Sequence, residues 1–263
     1  MKSKLLNSLF ATAVLAFSNF VSAGVIGYYT GDAVNAVNQA TTTMLNKTGY
    51  SYTGITSVAN FNLNTIDVLF TARYDSPLLT QRATDIKNWV LNGGVLLIDD
   101  ANNLNGYFFN QFNAVRTGIS SANVQVANTA ASTLVNGRFG QINNTTLDNG
   151  SSSVHGGVAL NSMPANAIVH LTGLDGNQVA AFSFKMGLGN VYYSTIPGYC
   201  YLDSCSFIQP FTSNYQNIYL PNLMDYGMSL SNQNRNVNPT VPEPSSLMMF
   251  ILGACVLLVR RFK

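Results

Sequence analysis

The sequence predicts an α/β domain with a doubly wound, mainly parallel sheet and a β-rich second half. In the first half, short continuous apolar runs alternate with helix-like stretches, and the connections between them are short. Continuous apolar runs are typical of strands buried on both faces, as the strands of parallel sheets are. In the second half the apolar pieces are shorter and are separated by Asn, Gly and Ser, which favours strands and loops.

Three strands and two helices are predicted in alternation in the first half. The apolar run GVIGYY predicts a strand and precedes a helix-like stretch. The run IDVLFTA, within residues 64–72, predicts a buried strand. A second helix follows Pro77 and ends at Gly93 and Gly94, and VLLIDD comes directly after it as another buried strand. The apolar positions of the two helices are Val34, Val37 and Met44 in the first, and Leu78, Ala83, Ile86 and Val90 in the second.

The second half ends in a predicted hairpin and a predicted helix. Residues 124–166 contain short apolar pieces without a clear helix. Two strands, 178–184 and 190–196, flank a turn at 185–189 and are typical of a hairpin. The last helix is predicted over 217–230, where its packing residues are Ile218, Leu220, Leu223, Met224 and Met228.

The amino-terminal segment is typical of a secretory signal peptide. Lys2 and Lys4 precede an apolar run, and the run ends in the small-residue sequence Val-Ser-Ala at 21–23. We therefore expect signal peptidase to cleave after Ala23. The 218 residues at 24–241 contain eight basic and ten acidic residues, so no nucleic-acid partner is expected.

The carboxyl-terminal segment is a short apolar run between prolines and basic residues. Thirteen mostly apolar residues, 247–259, would form a helix of about 20 Å, shorter than a hydrocarbon core of roughly 30 Å. The basic end favours the cytoplasmic side, which leaves the bulk of the chain outside the inner membrane. The flanking residues are Pro242, Glu243 and Pro244 before the run, and Arg260, Arg261 and Lys263 after it.

In order, spacing and position this segment resembles the PEP-CTERM sorting domain of Gram-negative bacteria. The resemblance implies recognition by an exosortase, a membrane protease of bacteria that make exopolysaccharide. The alternative is a plain carboxyl-terminal membrane anchor. The predicted organisation is a signal peptide at 1–23, an α/β domain at 24–230, a polar linker at 231–241 and the sorting signal, with a short transmembrane helix, at 242–263.

Two of the three cysteines lie close together in the exported part. Cys200 and Cys205 are five residues apart, and we expect a disulfide between them, as is common in secreted proteins. The alternative is a pair of metal-binding thiolates, which would need further ligands. Neither His155 nor His170 lies in the cluster that a zinc site requires. No metal and no cofactor is therefore predicted.

The order of elements resembles the class I glutamine amidotransferase-like, flavodoxin-like superfamily over residues 24–230. In its active amidotransferases a Cys occupies a sharp Gly-flanked turn after a central strand. Here the strand at 95–98 runs into Asp99 and Asp100 without a thiol, so glutamine hydrolysis is not expected and the prediction leans away from an enzyme. The segments that carry the resemblance are 67–70, 89–99, 136–140 and 187–193.

Open α/β sheets bind ligands at the carboxyl ends of their strands. Carboxylates beside tyrosine rings at that edge favour a carbohydrate or a divalent cation. The alternative is local, since Asp99 or Asp100 could cap a helix and Asp75 could set the turn before Pro77. The candidate ligand-binding residues are Tyr29, Asp32, Arg73, Tyr74, Asp75, Asp99, Asp100 and His155.

These features favour an exported, non-catalytic protein of the cell envelope or the exopolysaccharide matrix that binds glycan or an envelope partner. Its expected partners are signal peptidase, an exosortase-type protease, extracellular polysaccharide and, before processing, the membrane, in which the carboxyl-terminal helix is a transient anchor. The alternative is a sugar-modifying or hydrolytic enzyme of the ThuA-like or amidotransferase-like kind that uses Asp99, Asp100 and His155. A third possibility is a purely structural matrix component. Such a protein would be expected to contain internal repeats, and none is seen in the sequence.

Overall fold

The computed structural model describes residues 24–29, 35–55, 60–72, 80–99, 109, 111–117, 123–148, 156–174, 176–202 and 211–237. A ten-stranded mixed sheet lies at the centre of this part of the chain, with helices packed on both of its faces. The fold is α/β, as the alternation of apolar runs and helices predicts.

The central part of the sheet is parallel. Its five strands are β1 (Val25–Tyr29), β2 (Ser51–Ile55), β3 (Val68–Thr71), β4 (Val95–Asp99) and β12 (Gly189–Ser194). They lie side by side in the order β2-β1-β3-β4-β12, and every neighbouring pair among them is parallel. The two central strands β3 and β4 are buried at every position, which explains their continuous apolar sequences.

The second half adds antiparallel strands beyond β12. The predicted hairpin is present: β11 (Gln178–Met186) pairs with β12 across a turn in which Gly187 has a φ of +61°. The sheet continues through β10 (Ile168–Thr172) to β6 (Gln125–Val126). The remaining short strands are β5 (Arg116–Thr117) and β9 (Gly157–Ala159), which pair with each other, and β7 (Asn136–Gly137) and β8 (Gly140–Gln141), which form a separate pair.

Helices cover the two faces of the sheet. In the described part of the chain they are α1 (Asn35–Thr48), α2 (Ala83–Leu91), α3 (Ser132–Val135), α4 (Gly198–Leu202), α5 (Phe211–Asn214) and α6 (Leu220–Val237). The predicted helices are present as α1, α2 and α6, and α6 is preceded by a π-helical turn at Tyr215–Tyr219. The short helices α3, α4 and α5 lie in the second half of the chain.

Alternate side chains of the central strands pack into two separate cores, one on each face of the sheet. Val68 and Leu97 join α1 and α6 in one core, and Leu69 and Leu96 join α2 in the other. Helix α6 lies close to the sheet at Gly227, which faces Leu97. A Cβ atom on residue 227 would come within 2.8 Å of the Leu97 Cδ1. Four of the five predicted packing residues of this helix are buried, namely Leu220, Leu223, Met224 and Met228. The fifth, Ile218, is partly buried and lies in the π-helical turn before the helix.

Two features differ from the sequence-based prediction. Helix α6 extends to Val237, so residues 231–237 of the predicted polar linker belong to the helix. The reason is that its polar residues have partners in the domain: Ser231 is buried, and the Asn234 side chain donates to the Gly93 carbonyl at 2.9 Å. Strand β2 was not predicted, because SYTGI forms an edge of the sheet where only Ile55 is fully buried.

The predicted targeting segments, 1–23 and 242–263, lie outside the described residues. Among the helices that the structure describes, none combines the length and the apolar character needed to cross a membrane.

Candidate functional site

The predicted acidic site at the carboxyl edge is described only in part. Tyr29 and Asp99 lie at the carboxyl ends of β1 and β4, as predicted. Tyr29 is buried in the apolar core on the α2 side of the sheet, with only 5% of its surface exposed. The other candidates lie outside the described residues: Asp32, Arg73, Tyr74, Asp75, Asp100 and His155.

Asp99 is sealed inside the protein. It has no exposed surface, and both of its carboxylate oxygens accept hydrogen bonds from tyrosine hydroxyls. The Tyr215 hydroxyl donates to Oδ2 at 2.7 Å, and the Tyr219 hydroxyl donates to Oδ1 at 2.9 Å. The Tyr219 hydroxyl uses its one proton in the bond to Asp99. Its oxygen is therefore free to accept a hydrogen bond from the Tyr192 hydroxyl, which lies 2.9 Å away. The result is a buried network in which each group is paired.

The π-helical turn before α6 brings the two donors to this carboxylate. Tyr215 and Tyr219 are its first and last residues, and their rings lie 5.3 Å apart. Burial, and after it the charge of Asp99, raises the pKa of both hydroxyls well above their usual range. The hydroxyls therefore keep their protons and act as permanent donors. The two donors lie 116 and 120 residues after Asp99 in the chain. The helix cap considered above would involve residues 100–108, which lie outside the described residues, so it stays a prediction.

A second buried network surrounds His170. Its ring has no exposed surface, and burial lowers its pKa from 6.5 to about 3. The Ala131 amide donates to Nδ1 at 3.2 Å, so the neutral ring carries its proton on Nε2 and donates to the Ser183 Oγ at 2.8 Å. The Ser183 hydroxyl also lies 2.9 Å from the Tyr226 hydroxyl. This closed arrangement is structural, as is expected for a histidine in an apolar strand.

Neither network offers a metal site. Within the part of the chain that the structure describes, no three side chains of His, Cys, Asp or Glu come together in a metal-binding group. Cys200 is buried in α4, and its predicted disulfide partner Cys205 lies outside the described residues, so that pairing stays a prediction.

A large open groove lies at the opposite, amino edge of the sheet. Its volume is about 730 Å³, within the range of ligand pockets. The floor is formed where β3 and β4 begin, at Ile66, Asp67 and Gly94, and the walls come from α2, the last turns of α6 and the segment 60–64. Because α2 and α6 lie on opposite faces of the sheet, the groove crosses the sheet edge between them.

The groove is rich in amide side chains and contains the single tryptophan of the chain. Trp89 is partly buried, and its ring lies against Gly94, where a Cβ atom would come within 2.4 Å of the indole. Asn64 and Asn88 are exposed, and within the described part of the chain only their backbone atoms form hydrogen bonds. The six asparagines that line the groove are Asn60, Asn62, Asn64, Asn88, Asn92 and Asn234.

The four charged residues of the groove form two pairs. The Arg82 Nε lies 3.0 Å from the Asp85 Oδ2, and the Arg235 guanidinium contacts the Asp67 Oδ1. The other oxygen of Asp67 accepts from the Val25 amide at 2.7 Å. These contacts hold the last turn of α6 against the starts of β1 and β3, so the groove is pre-formed.

Sequence reasoning missed the groove because its residues have no motif in the chain. They come from three segments that only the fold brings together, and one of them was predicted to be a linker. The one usable signal was the abundance of asparagine, since the sequence contains 32 asparagines and only 9% charged residues.

No family model matches this sequence, and no characterised protein matches it either. Among solved structures, a cytoplasmic protein from Salmonella typhimurium is similar over 77% of this chain and 98% of its own, with 14% identity and a TM-score of 0.48. The amino-terminal domain of the protein IFT52 is similar over 79% of this chain and 97% of its own, with 11% identity and a TM-score of 0.48.

A cold-adapted β-galactosidase from Rahnella sp. R3 is similar over 86% of this chain, which corresponds to 34% of the enzyme, with 13% identity and a TM-score of 0.46. At TM-scores below 0.5, these three likenesses assign neither a family nor an activity to the chain.

Proposed function

We propose that this is an exported, non-catalytic protein of the cell envelope or the exopolysaccharide matrix of a Gram-negative bacterium, sorted by a PEP-CTERM and exosortase system. The observation that carries the proposal is the ending Val-Pro-Glu-Pro at 241–244, followed by a short apolar run and by Arg260 and Arg261. The signal-peptide pattern at 1–23 supports it independently, because both ends then direct the same domain out of the cytoplasm.

The state of Asp99 favours a binding protein over the alternative enzyme. A general acid, a general base or a metal ligand must reach its substrate or ion, and Asp99 is closed off with both oxygens bonded. The sugar-modifying or hydrolytic alternative would therefore have to work without Asp99. We propose that the domain binds glycan or an envelope partner rather than transforming one.

We also propose that the domain is a variant of the flavodoxin-like, amidotransferase-like fold. Counted in chain order, the five parallel strands follow the order 2-1-3-4-5, which is the flavodoxin-like order. In this reading the antiparallel strands β11, β10 and β6 extend the sheet beyond its fifth parallel strand. The order supports the proposal for the fold and carries no argument about activity.

A mass spectrum of the mature protein from its native host tests the proposed function. We expect a chain that begins at Gly24, has lost its carboxyl-terminal segment at or after Pro242, and is two hydrogens lighter through the Cys200 and Cys205 disulfide. Fractionation should place it at the cell surface or in the medium. Recovery of the uncleaved chain from the cytosol would contradict the proposal, whereas an intact tail on an exported chain would favour the plain anchor.

A further inference from the structure

We propose that the amino-edge groove binds an uncharged glycan chain, with Trp89 and the asparagine amides as its contacts. This inference rests on the proposed function, and it places the ligand at the opposite edge of the sheet from the one that the sequence predicts. The proposed contacts include neither Asp99 nor any residue of the carboxyl edge.

The charge of the groove favours a neutral ligand. Its two aspartates and two arginines already form two pairs, in which the Arg82 Nε lies 3.0 Å from the Asp85 Oδ2 and Arg235 contacts Asp67. An anionic or cationic ligand would have to compete with one of these pairs. A neutral ligand leaves both intact, so it avoids that cost.

The open polar groups of the groove match sugar hydroxyls. Each asparagine amide offers one acceptor and two donors, and a hydroxyl can use either kind of group. Asn64 and Asn88 are exposed, and within the described residues their amides are not engaged. A protein partner would more often demand an apolar centre, whereas the polar side chains here are spread along the whole groove.

Trp89 supplies a large apolar surface of the kind that a sugar ring requires. Its indole is partly buried against the core on the α2 side of the sheet and is fixed in place by the bare backbone at Gly94. Aromatic rings fixed in this way offer a flat apolar face at a small entropic cost. The face of a pyranose ring that carries C–H groups fits such a surface, while its hydroxyls point outward to the amides.

The groove is also rigid enough to select its ligand. The Asn234 side chain donates to the Gly93 carbonyl at 2.9 Å and accepts from the Asn190 amide at 3.2 Å. Asp67 joins the Val25 amide to Arg235 on the other side. Walls that are already held together lose little conformational entropy when a ligand binds.

Trp89 is the only tryptophan of the chain, so its fluorescence reports directly on this groove. The full-length protein in mild detergent is titrated with neutral hexasaccharides, namely cello-, malto-, xylo- and mannohexaose. The matched charged probes are hexagalacturonate and hexaglucosamine. We expect a saturable change in Trp89 emission with at least one neutral hexasaccharide and no saturable change with either charged probe.

Two alanine variants locate the site. Asn88→Ala removes an exposed amide of the groove and should weaken binding about fivefold or more, which corresponds to one lost hydrogen bond. Asn161→Ala is the control, because Asn161 is an exposed asparagine that does not line the groove. It should leave the affinity unchanged.

Three results would overturn the inference: no neutral hexasaccharide changes Trp89 emission, a charged probe binds more tightly than every neutral one, or the two variants weaken binding equally. Saturable binding of an envelope protein alone, without any sugar, would overturn it as well. The outcome is separate from that of the proposed function. An exported and processed protein without sugar binding refutes only this inference, and a cytosolic protein that binds sugar refutes only the proposed function.

Discussion

The dipeptide Ile-Asp occurs at both edges of the parallel sheet, and its aspartate is partly exposed at one edge and completely buried at the other. Ile66 and Asp67 lie just before β3, at the amino edge, where Asp67 is partly exposed beside an open groove. Ile98 and Asp99 end β4 at the carboxyl edge, where Asp99 is completely buried. Both isoleucines are buried in the same core, on the α2 side of the sheet.

The difference comes from the partners that later parts of the chain bring to each aspartate. At Asp99 two tyrosine hydroxyls satisfy both oxygens and exclude water. At Asp67 the partners are the Val25 amide and the Arg235 guanidinium, whose side chain stays 42% exposed. A strand-end aspartate therefore indicates a site only when the surrounding elements leave it accessible, and of these two aspartates only Asp67 is accessible.

The largest expected effect on stability is that of replacing the two aspartates themselves. Asp99→Ala should lower the free energy of unfolding by about 3 kcal/mol or more, since it leaves two buried hydroxyls without an acceptor. Asp67→Ala should cost about 1 kcal/mol, because its ion pair is partly exposed. Urea denaturation of both variants measures the difference. Equal losses would mean that the two edges are not distinct in the way described.

Burial of His170 should make the stability of the protein depend on pH in the acid range. The pKa of His170 is lowered to about 3 in the folded protein, so below pH 6.5 the unfolded chain takes up a proton that the folded one does not. Stability should therefore fall by about 2–3 kcal/mol between pH 6.5 and 4.5 from this group alone. Urea denaturation at several pH values should show a shallower pH dependence in His170→Asn, whatever its stability at pH 7. An unchanged pH dependence would rule out the neutral buried ring.

A single hydroxyl of the sealed network should have a smaller but measurable effect. Tyr219→Phe leaves Oδ1 of Asp99 without its donor and should cost about 1–3 kcal/mol. The matched control is Tyr52→Phe, because the Tyr52 hydroxyl donates to the Asn46 side chain in an exposed position at 3.0 Å. That control should change stability by less than about 0.5 kcal/mol. Similar losses in the two variants, measured by thermal unfolding, would contradict a buried network at Asp99.

The groove should show the smallest effect on stability. Asn88→Ala removes an exposed side chain without a described partner, so the free energy of unfolding should stay within about 0.5 kcal/mol of the parent value. Chemical denaturation tests this directly. A larger loss would show that the amide supports the fold and is not free for a ligand.

Much of the fold follows from short-range patterns. The continuous apolar runs of β3 and β4, the period of α2 and the hairpin of β11 and β12 are encoded locally, and they were predicted. Strand β2 was not, because an edge strand with one buried residue leaves almost no apolar signal.

The site was less predictable, since burial of a polar group depends on distant partners. Asp99 and Tyr215 are 116 residues apart, and no spacing rule connects them. In the same way, the polar end of α6 was predicted to be a linker because its contacts with Gly93 and Asp67 are invisible in the sequence. The predicted site residues of the carboxyl edge that lie outside the described part remain predictions.

The bond from Asp67 to Val25 and to Arg235 places the first strand and the last helical turn side by side. The chain therefore enters and leaves the described domain at one edge of the sheet, next to the groove. If the protein is sorted as proposed, the edge that carries the groove is also the edge from which the chain continues to its tail. The same edge would then serve attachment to the membrane before processing and contact with the matrix after it.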